Sequence, residues 1–154
     1  MDDKKPLSLI NMESVSDAIL EMVAKYPDFP FIASKDTILW QSIQLAIESI
    51  GIFTAPGACY LKKYITGSFI ALLPIQLIYK CNPSSNSERM TSQQVLENLA
   101  IWLEKSTATF TNPQLSLTSI ERTSPVFKRA AEQNGFWEYT CTLNIKYSVE
   151  KRRF

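Results

Sequence analysis

The sequence predicts an α+β domain in which a mainly antiparallel, twisted sheet of four to five strands carries two amphipathic helices on one face. Three observations lead there. Two stretches place apolar residues at helical spacing, others place them at the two-residue spacing of a strand, and strand-like stretches adjacent in sequence suit antiparallel pairing. A chain of 154 residues is long enough for one well-buried core and short for two. Residues 1–154 therefore read as a single domain, with 1–11 and 150–154 as candidate flexible or assembly arms.

The first helix is expected over 15–25. Val15, Ala18, Ile19, Met22 and Val23 recur on one side, with Asp17, Glu21 and Lys25 opposite. Ser14 is the candidate N-cap, and Pro27 ends the pattern by disfavouring a helical Tyr26. Residues 27–31, framed by Pro27 and Pro30, read as an extended or turning segment, with core packing of Phe29 and Phe31 favoured over a partner anchor. Residues 36–50 fit neither period. Their β-branched residues favour an irregular strand around 38–47, a helix remaining the alternative. Gly51 to Gly57 reads as a break.

Residues 57–80 form the best-defined stretch, two strands joined near Tyr64 to Gly67, with Gly67 supplying the turn. Phe69, Ala71, Leu73, Ile75, Leu77 and Tyr79 share one face, and Ile70, Leu72 and Ile78 share the other. Both faces are largely apolar, so the strand is expected to be sandwiched. Pro74 lacks a ladder donor and marks a bulge or an unpaired position. A loop over 82–87 leads to the second helix, with Thr91 and Gln94 as capping box and Val95, Leu96, Leu99, Trp102 and Leu103 as its apolar stripe. Leu115 and Leu117 begin a modest strand that Ser124-Pro125 interrupts. Residues 126–134 suit a short helical turn, with Ser124 as cap and Asn134-Gly135 as stop. The final strand is clear: Tyr139, Cys141, Leu143, Ile145 and Tyr147 alternate with polar residues, giving one buried and one wet face.

Composition excludes more chemistry than it suggests. Lys and Arg exceed Asp and Glu by a net charge of +1, so no overall field advertises nucleic acid or an anionic membrane. Cys59, Cys81 and Cys141 are odd in number and form no C-x-x-C, which argues against a disulfide framework or zinc site and for a reducing compartment. No apolar run approaches the roughly 20 residues of a membrane helix, so no membrane partner is expected. The chain has no histidine, which removes the usual general base and metal ligand. Its four glycines stand apart, ruling out a phosphate-cradling or dinucleotide loop. Asp28 and Asp36 could be posed as a carboxylate pair, but solvated surface charge accounts for them better. No catalytic residue, cofactor or metal is assigned.

Three basic clusters invite a nucleic-acid reading: Lys62-Lys63-Tyr64 with Lys80, Arg122 with Lys128 and Arg129, and Lys151-Arg152-Arg153. Solvated charge and protection of a strand edge are the plainer readings. Phe154 differs in kind, as an aromatic at a chain end that can anchor in a neighbouring subunit.

In order along the chain, Tyr26-Pro27-Asp28-Phe29-Pro30-Phe31, Trp40-Gln41, Ile50-Gly51-Ile52-Phe53, residues 57–71, Leu73-Pro74, Ile78-Tyr79, Trp102-Leu103-Glu104, residues 122–127 and Glu138-Tyr139 resemble a family of small phage minor capsid proteins from prophages of Gram-positive bacteria. The resemblance spans nearly the whole chain. It rests on packing and turn residues, so it speaks to family and is silent on mechanism. Members are usually encoded just before the tail tube protein, the position of the tail terminator, which implies a tail-terminator-like fold. The implied role is a non-enzymatic virion protein at the tail-neck junction, assembled in the host cytoplasm. It would form a homo-oligomeric ring, typically a hexamer, that stops tube growth and joins the tail to the neck. Implied partners are further copies of itself, the tail tube protein, a head-completion or neck protein, a sheath where the tail is contractile, and non-specifically DNA in the lumen. The expected assembly residues are Tyr60, Lys62, Lys63, Tyr64, Asn82, Arg89, Arg152, Arg153 and Phe154, on 60–67, the 82–89 loop and 150–154. The alternatives are another connector or collar part, of a phage or of a phage-tail-like bacteriocin, and, in a different class, a monomeric cytosolic binding module.

Overall fold

The structure, a computed structural model, describes residues 7–44, 47–55, 60–107, 110, 113–133 and 135–150, with side chains left undescribed at 7–13 and 130–133. Its axis is a pair of long antiparallel strands, β4 (Phe69–Cys81) and β7 (Phe136–Val149), in unbroken register from Phe69 opposite Val149 to Cys81 opposite Trp137. Each carries two shorter strands end to end along its outer edge. On β4 these are β2 (Ser49–Thr54) and β3 (Tyr60–Lys63); on β7 they are β5 (Leu115–Arg122) and β6 (Phe127–Gln133). A three-residue strand, β1 (Ile38–Trp40), adds to β2 in the parallel sense, the only parallel pair among the described residues. The α+β class holds, with seven strands where four to five were expected.

Pro74 fits this plan. Its carbonyl accepts the Ala55 N–H at 2.9 Å, so the side on which Pro74 lacks a donor faces the gap between β2 and β3. Residue 74 is locally unpaired there and fully in register with Asn144 on the other side, without a bulge.

One face of the sheet is buried under α1 (Leu7–Ala24) and α2 (Asn86–Glu104). Val15, Ile19 and Val23 of α1 and Leu96, Leu99 and Leu103 of α2 meet Leu73, Ile75, Leu77, Tyr79, Leu143, Ile145 and Val149 from below. A chain of aromatic contacts closes the helix ends, with Tyr26 against Phe29 and Trp102 at 5.0 and 5.6 Å, and Phe31 against Tyr79 at 6.2 Å. Phe29 and Phe31 thus pack against the core as the sequence suggests.

Five expectations are corrected. The helix expected at Val15 starts at Leu7, because no Gly or Pro interrupts 7–24; Ser14 is buried in its interior and does not cap it. The second helix starts at Asn86, with Ser85 as cap. The Ser85 hydroxyl accepts the Glu88 N–H at 3.2 Å, and the Glu88 carboxylate reaches back to accept from the Ser84 N–H at 2.8 Å and the Ser84 hydroxyl at 2.9 Å. Thr91 lies one turn inside, its hydroxyl donating to the Ser87 carbonyl at 3.0 Å. Residues 127–133 are strand, not helical turn: the Ser124 hydroxyl accepts the Thr142 N–H at 2.9 Å, pinning the chain along β7, and Gly135 at φ 82° turns a hairpin.

The fourth correction concerns 36–54. The strand ends at Trp40 because Gln41 adopts a left-handed φ of 58°. Its N–H donates to the Ile52 carbonyl at 2.7 Å, and its side-chain amide pairs with the N–H and hydroxyl of Thr54 at 3.1 and 3.0 Å. The chain then crosses the sheet face turned away from the helices. A Cβ on Gly51 would lie 2.5 Å from the Ser42 carbonyl oxygen, so Gly51 admits this crossing from within β2 and is no break. Residues 45 and 46, inside the expected strand, lie outside the described residues, as do Gly57 and Cys59.

The fifth correction is to the sandwich. On β4 and β7 only Ile78 and Thr140 are buried on the face away from the helices; Ile70, Leu72, Pro74 and Gln76 are half-exposed. Beside them β7 presents Thr142, Asn144, Lys146 and Ser148, also half-exposed. Among the described residues no layer covers this apolar row on β4, which polar β7 residues border.

Candidate functional site

The expected assembly residues separate into two groups at opposite ends of β4. Thirteen residues at about 3.3 Å each put those ends about 40 Å apart. At one end Tyr60, Lys62, Lys63 and Tyr64 lie on the β3–β4 hairpin. Asn82 and Arg89 lie at the other, and Arg89 belongs to the first turns of α2 and not to a loop. Arg152, Arg153 and Phe154 fall outside the described residues. The chain leaves β7 at the hairpin end, where the Glu150 N–H donates to the Gln114 carbonyl at 2.8 Å.

The hairpin is held to the sheet by few contacts. β3 pairs only with Phe69, Ile70 and Ala71, with a bulge at Leu61. Its turn is closed by the Tyr64 N–H donating to Ser68 at 2.9 Å, with Gly67 at φ 92°. Every residue from 60 to 67 is exposed. Tyr60, Leu61, Tyr64 and Ile65 are four of the large apolar side chains left in solvent, Ile65 completely so. The Tyr60 ring meets Phe69 edge-on at 5.0 Å, Lys63 Nζ lies 4.3 Å over Tyr60, and Lys62 Nζ lies 5.2 Å over Tyr64. Such exposed cation–π contacts are worth about 0.5–1 kcal/mol each. They orient the tip without covering Leu61 or Ile65. Leu61 and Ile65 were missed from the sequence; their signal was two apolar side chains beside the turn of an otherwise cationic hairpin.

The far end is better satisfied. Trp137 is flanked by the Arg89 guanidinium at 4.7 Å and Lys128 Nζ at 3.7 Å, Lys80 Nζ lies 5.5 Å over Phe136, and Arg129 pairs with Glu138. Arg89 also donates from Nη1 to Asn86 Oδ1 at 2.8 Å. Asn82 packs on the hairpin glycine: a Cβ on Gly135 would be 2.8 Å from Asn82 Oδ1. Trp137, the centre of this group, was not singled out from the sequence, although it is the second residue of the final strand, just past the turn at Gly135. Folding separates Lys80 and Arg122 from the basic clusters they were read with, and the third cluster, Lys151-Arg152-Arg153, lies outside the described residues. Lys80 is at the opposite end of β4 from Lys62, and Arg122 turns to an ion pair with Glu97 of α2, away from Lys128.

Two clefts merit a chemical reading. One, of about 210 Å³, is lined by Tyr79, Cys81, Glu88 and Ser92. The Tyr79 hydroxyl donates to the Glu48 carboxylate there, and burial, then that bond and charge, hold the phenol protonated far above its ordinary range. Burial pushes the Cys81 thiol up to about 11, helped by Glu48 and opposed by Ser92. Cys141 is pushed up to about 12, again chiefly by burial. Both thiols stay protonated at neutral pH and are poor nucleophiles. Among the described residues no three His, Cys, Asp or Glu side chains gather to hold a metal, and no helix is long and apolar enough to cross a membrane. The second cleft, of about 520 Å³, runs along the outer edge of β5 between Glu104, Ser106, Phe110 and residues 115–120.

No protein-family model matches the chain, and no curated protein does. Among solved structures it is similar to a chain of the virion of a native gene transfer agent particle, at 8% identity and a TM-score of 0.49, over 90% of this chain and 91% of that one. It is similar also to a second solved chain at 12% identity and a TM-score of 0.49, over 98% of this chain and 100% of that one. Likeness at this level carries no argument about role.

Proposed function

We propose that this protein is a structural component of a phage-like virion that assembles head to tail into a closed ring, terminates the tail tube and joins it to the neck. The observation that carries the reading is the β3–β4 hairpin, an exposed arm whose Leu61 and Ile65 have no use in the chain's own core. A contiguous exposed apolar patch rimmed by charge marks a surface meant for a partner. The sequence resemblance to the minor capsid family supplies which kind of partner: further copies of the chain, then a tube protein below and a neck protein above. Closure of a heterologous contact leaves no free growing end, which is what a terminator requires. Particles produced without the protein test the role directly. Tails of uncontrolled length support termination, and tails of normal length refute it.

A further inference from the structure

Resting on that ring reading, we infer that the contact between copies is strand addition, in which β3 of one copy pairs with the open edge of β5 in the next. The backbone register shows which edges are available. On β5, Gln114 and Thr123 bond inward to Glu150 and Thr142. Alternation from either side of the bulge at Thr118 therefore turns the backbone groups of Leu115, Leu117, Ile120 and Arg122 outward. The Arg122 N–H is already taken by the Glu104 carboxylate at 3.1 Å. Past that block, the edge from Leu115 to Ile120 borders the cleft of about 520 Å³ and meets no strand among the described residues. On β3, Tyr64 bonds inward to Ser68, so the backbone groups of Lys63 point outward, again with no strand beside them.

The two edges lie in one cross-strand row, Lys63, Phe69, Val149, Leu115, at the same end of the sheet and on its opposite borders. Each neighbouring pair in that row is antiparallel, so β3 runs opposite to β5. A second copy placed in the same orientation presents its β3 antiparallel to β5 without being flipped, and the contact repeats in one direction. That is a heterologous contact. The charges agree: the arm brings Lys62 and Lys63, and Glu104 forms a wall of the receiving cleft. The other borders are guarded in the usual ways, β1 by its three-residue length and β6 by two register shifts.

Two surface variants test this. Leu61→Lys with Ile65→Lys spoils the arm, and Thr118→Lys spoils the cleft; both alter exposed residues, and unchanged thermal melts confirm folding. By native mass spectrometry the wild type is expected as a ring and each variant alone as a monomer. An equimolar mixture is expected to give a heterodimer and nothing larger, because the intact arm of one fits the intact cleft of the other and the remaining pair is spoiled twice. A ring that survives either variant overturns strand addition and leaves the ring reading standing. Homodimers of the Thr118→Lys variant would show an arm-to-arm contact and overturn it as well. Monomers in the mixture overturn it too, and a monomeric wild type overturns both.

Discussion

Replacing Gly51 with Ala tests the crossing of Ser42 and Ile43 over β2. The new methyl would stand 2.5 Å from the Ser42 carbonyl oxygen and 2.7 Å from Phe53 Cε1. Phe53 is half-exposed, and its ring can rotate aside. The Ser42 carbonyl is backbone, and the residue before it is clamped by three hydrogen bonds from Gln41 to Ile52 and Thr54. Overpacking against such a fixed wall costs about 1–3 kcal/mol. For a chain of this size each kcal/mol moves Tm by about 2–4 °C, so calorimetry should show a fall of roughly 2–12 °C. Gln41→Ala, which releases the clamp, should alone cost about 1–2 kcal/mol from two lost side-chain bonds. The double variant should then lose less than the two singles together, by about 0.5 kcal/mol or more, since the freed segment can lift away. A Tm unchanged by Gly51→Ala, or strict additivity with Gln41→Ala, would refute this account of the glycine.

Four further outcomes follow from other parts of the structure. Ser85→Ala removes the α2 cap and should cost about 1 kcal/mol in urea denaturation. The Ser84 hydrogen bonds lower the pKa of Glu88, so its contribution is present above the unfolded carboxylate pKa and lost as pH falls through the folded one; Glu88→Gln should flatten that part of the stability profile. The buried thiols run the other way. With pKa values pushed from 9.0 to about 11 and about 12, they favour the fold below the ordinary thiol pKa, and stability should decline as pH rises from about 9 toward 11. In a Cys59→Ser background, native protein should therefore resist a thiol reagent at pH 8 until denaturant is added; rapid labelling would contradict the burial. Deleting residues 150–154 should reduce ring mass by native mass spectrometry while moving Tm little, and an intact ring would count against a role in assembly.

What could be read from the sequence depended on whether a segment's partner was near in the chain. The β3–β4 hairpin and the alternation on β7 were legible because each carries its period and its turn internally. The start of α2 was written in Ser85 and Glu88, yet the pattern at Thr91 and Gln94 looked equally good, since a capping box is recognisable only once the helix end is known. Residues 126–134 misled for a related reason: Ser124-Pro125 serves a strand corner, and Gly135 a hairpin turn, as readily as a helix start and stop. The strand beginning at Ile38 was read from its β-branched residues, but its end at Trp40 and β2 were hidden, because Gly51 answers to Ser42 packed against it, a contact that no periodicity encodes. At the candidate site, exposure of 60–64 was foreseen, but the cleft beside β5 is made by side chains from 104 to 120 and has no linear signature.

The central pairing also dictates when this chain can fold. Even the nearest partners on β4 and β7, Cys81 and Trp137, are 56 positions apart, and every other pair is more distant. Loops of that length must close before either long strand has its neighbour, which places the molecule among slow, high-contact-order folders. During synthesis β4 emerges well before Phe136 to Val149 exist, with Leu73, Ile75 and Leu77 lacking the partner strand that completes their layer. A growing chain in this condition can be rescued or captured by whatever holds an unpaired strand first, so crowding of nascent copies will govern how many reach the native fold.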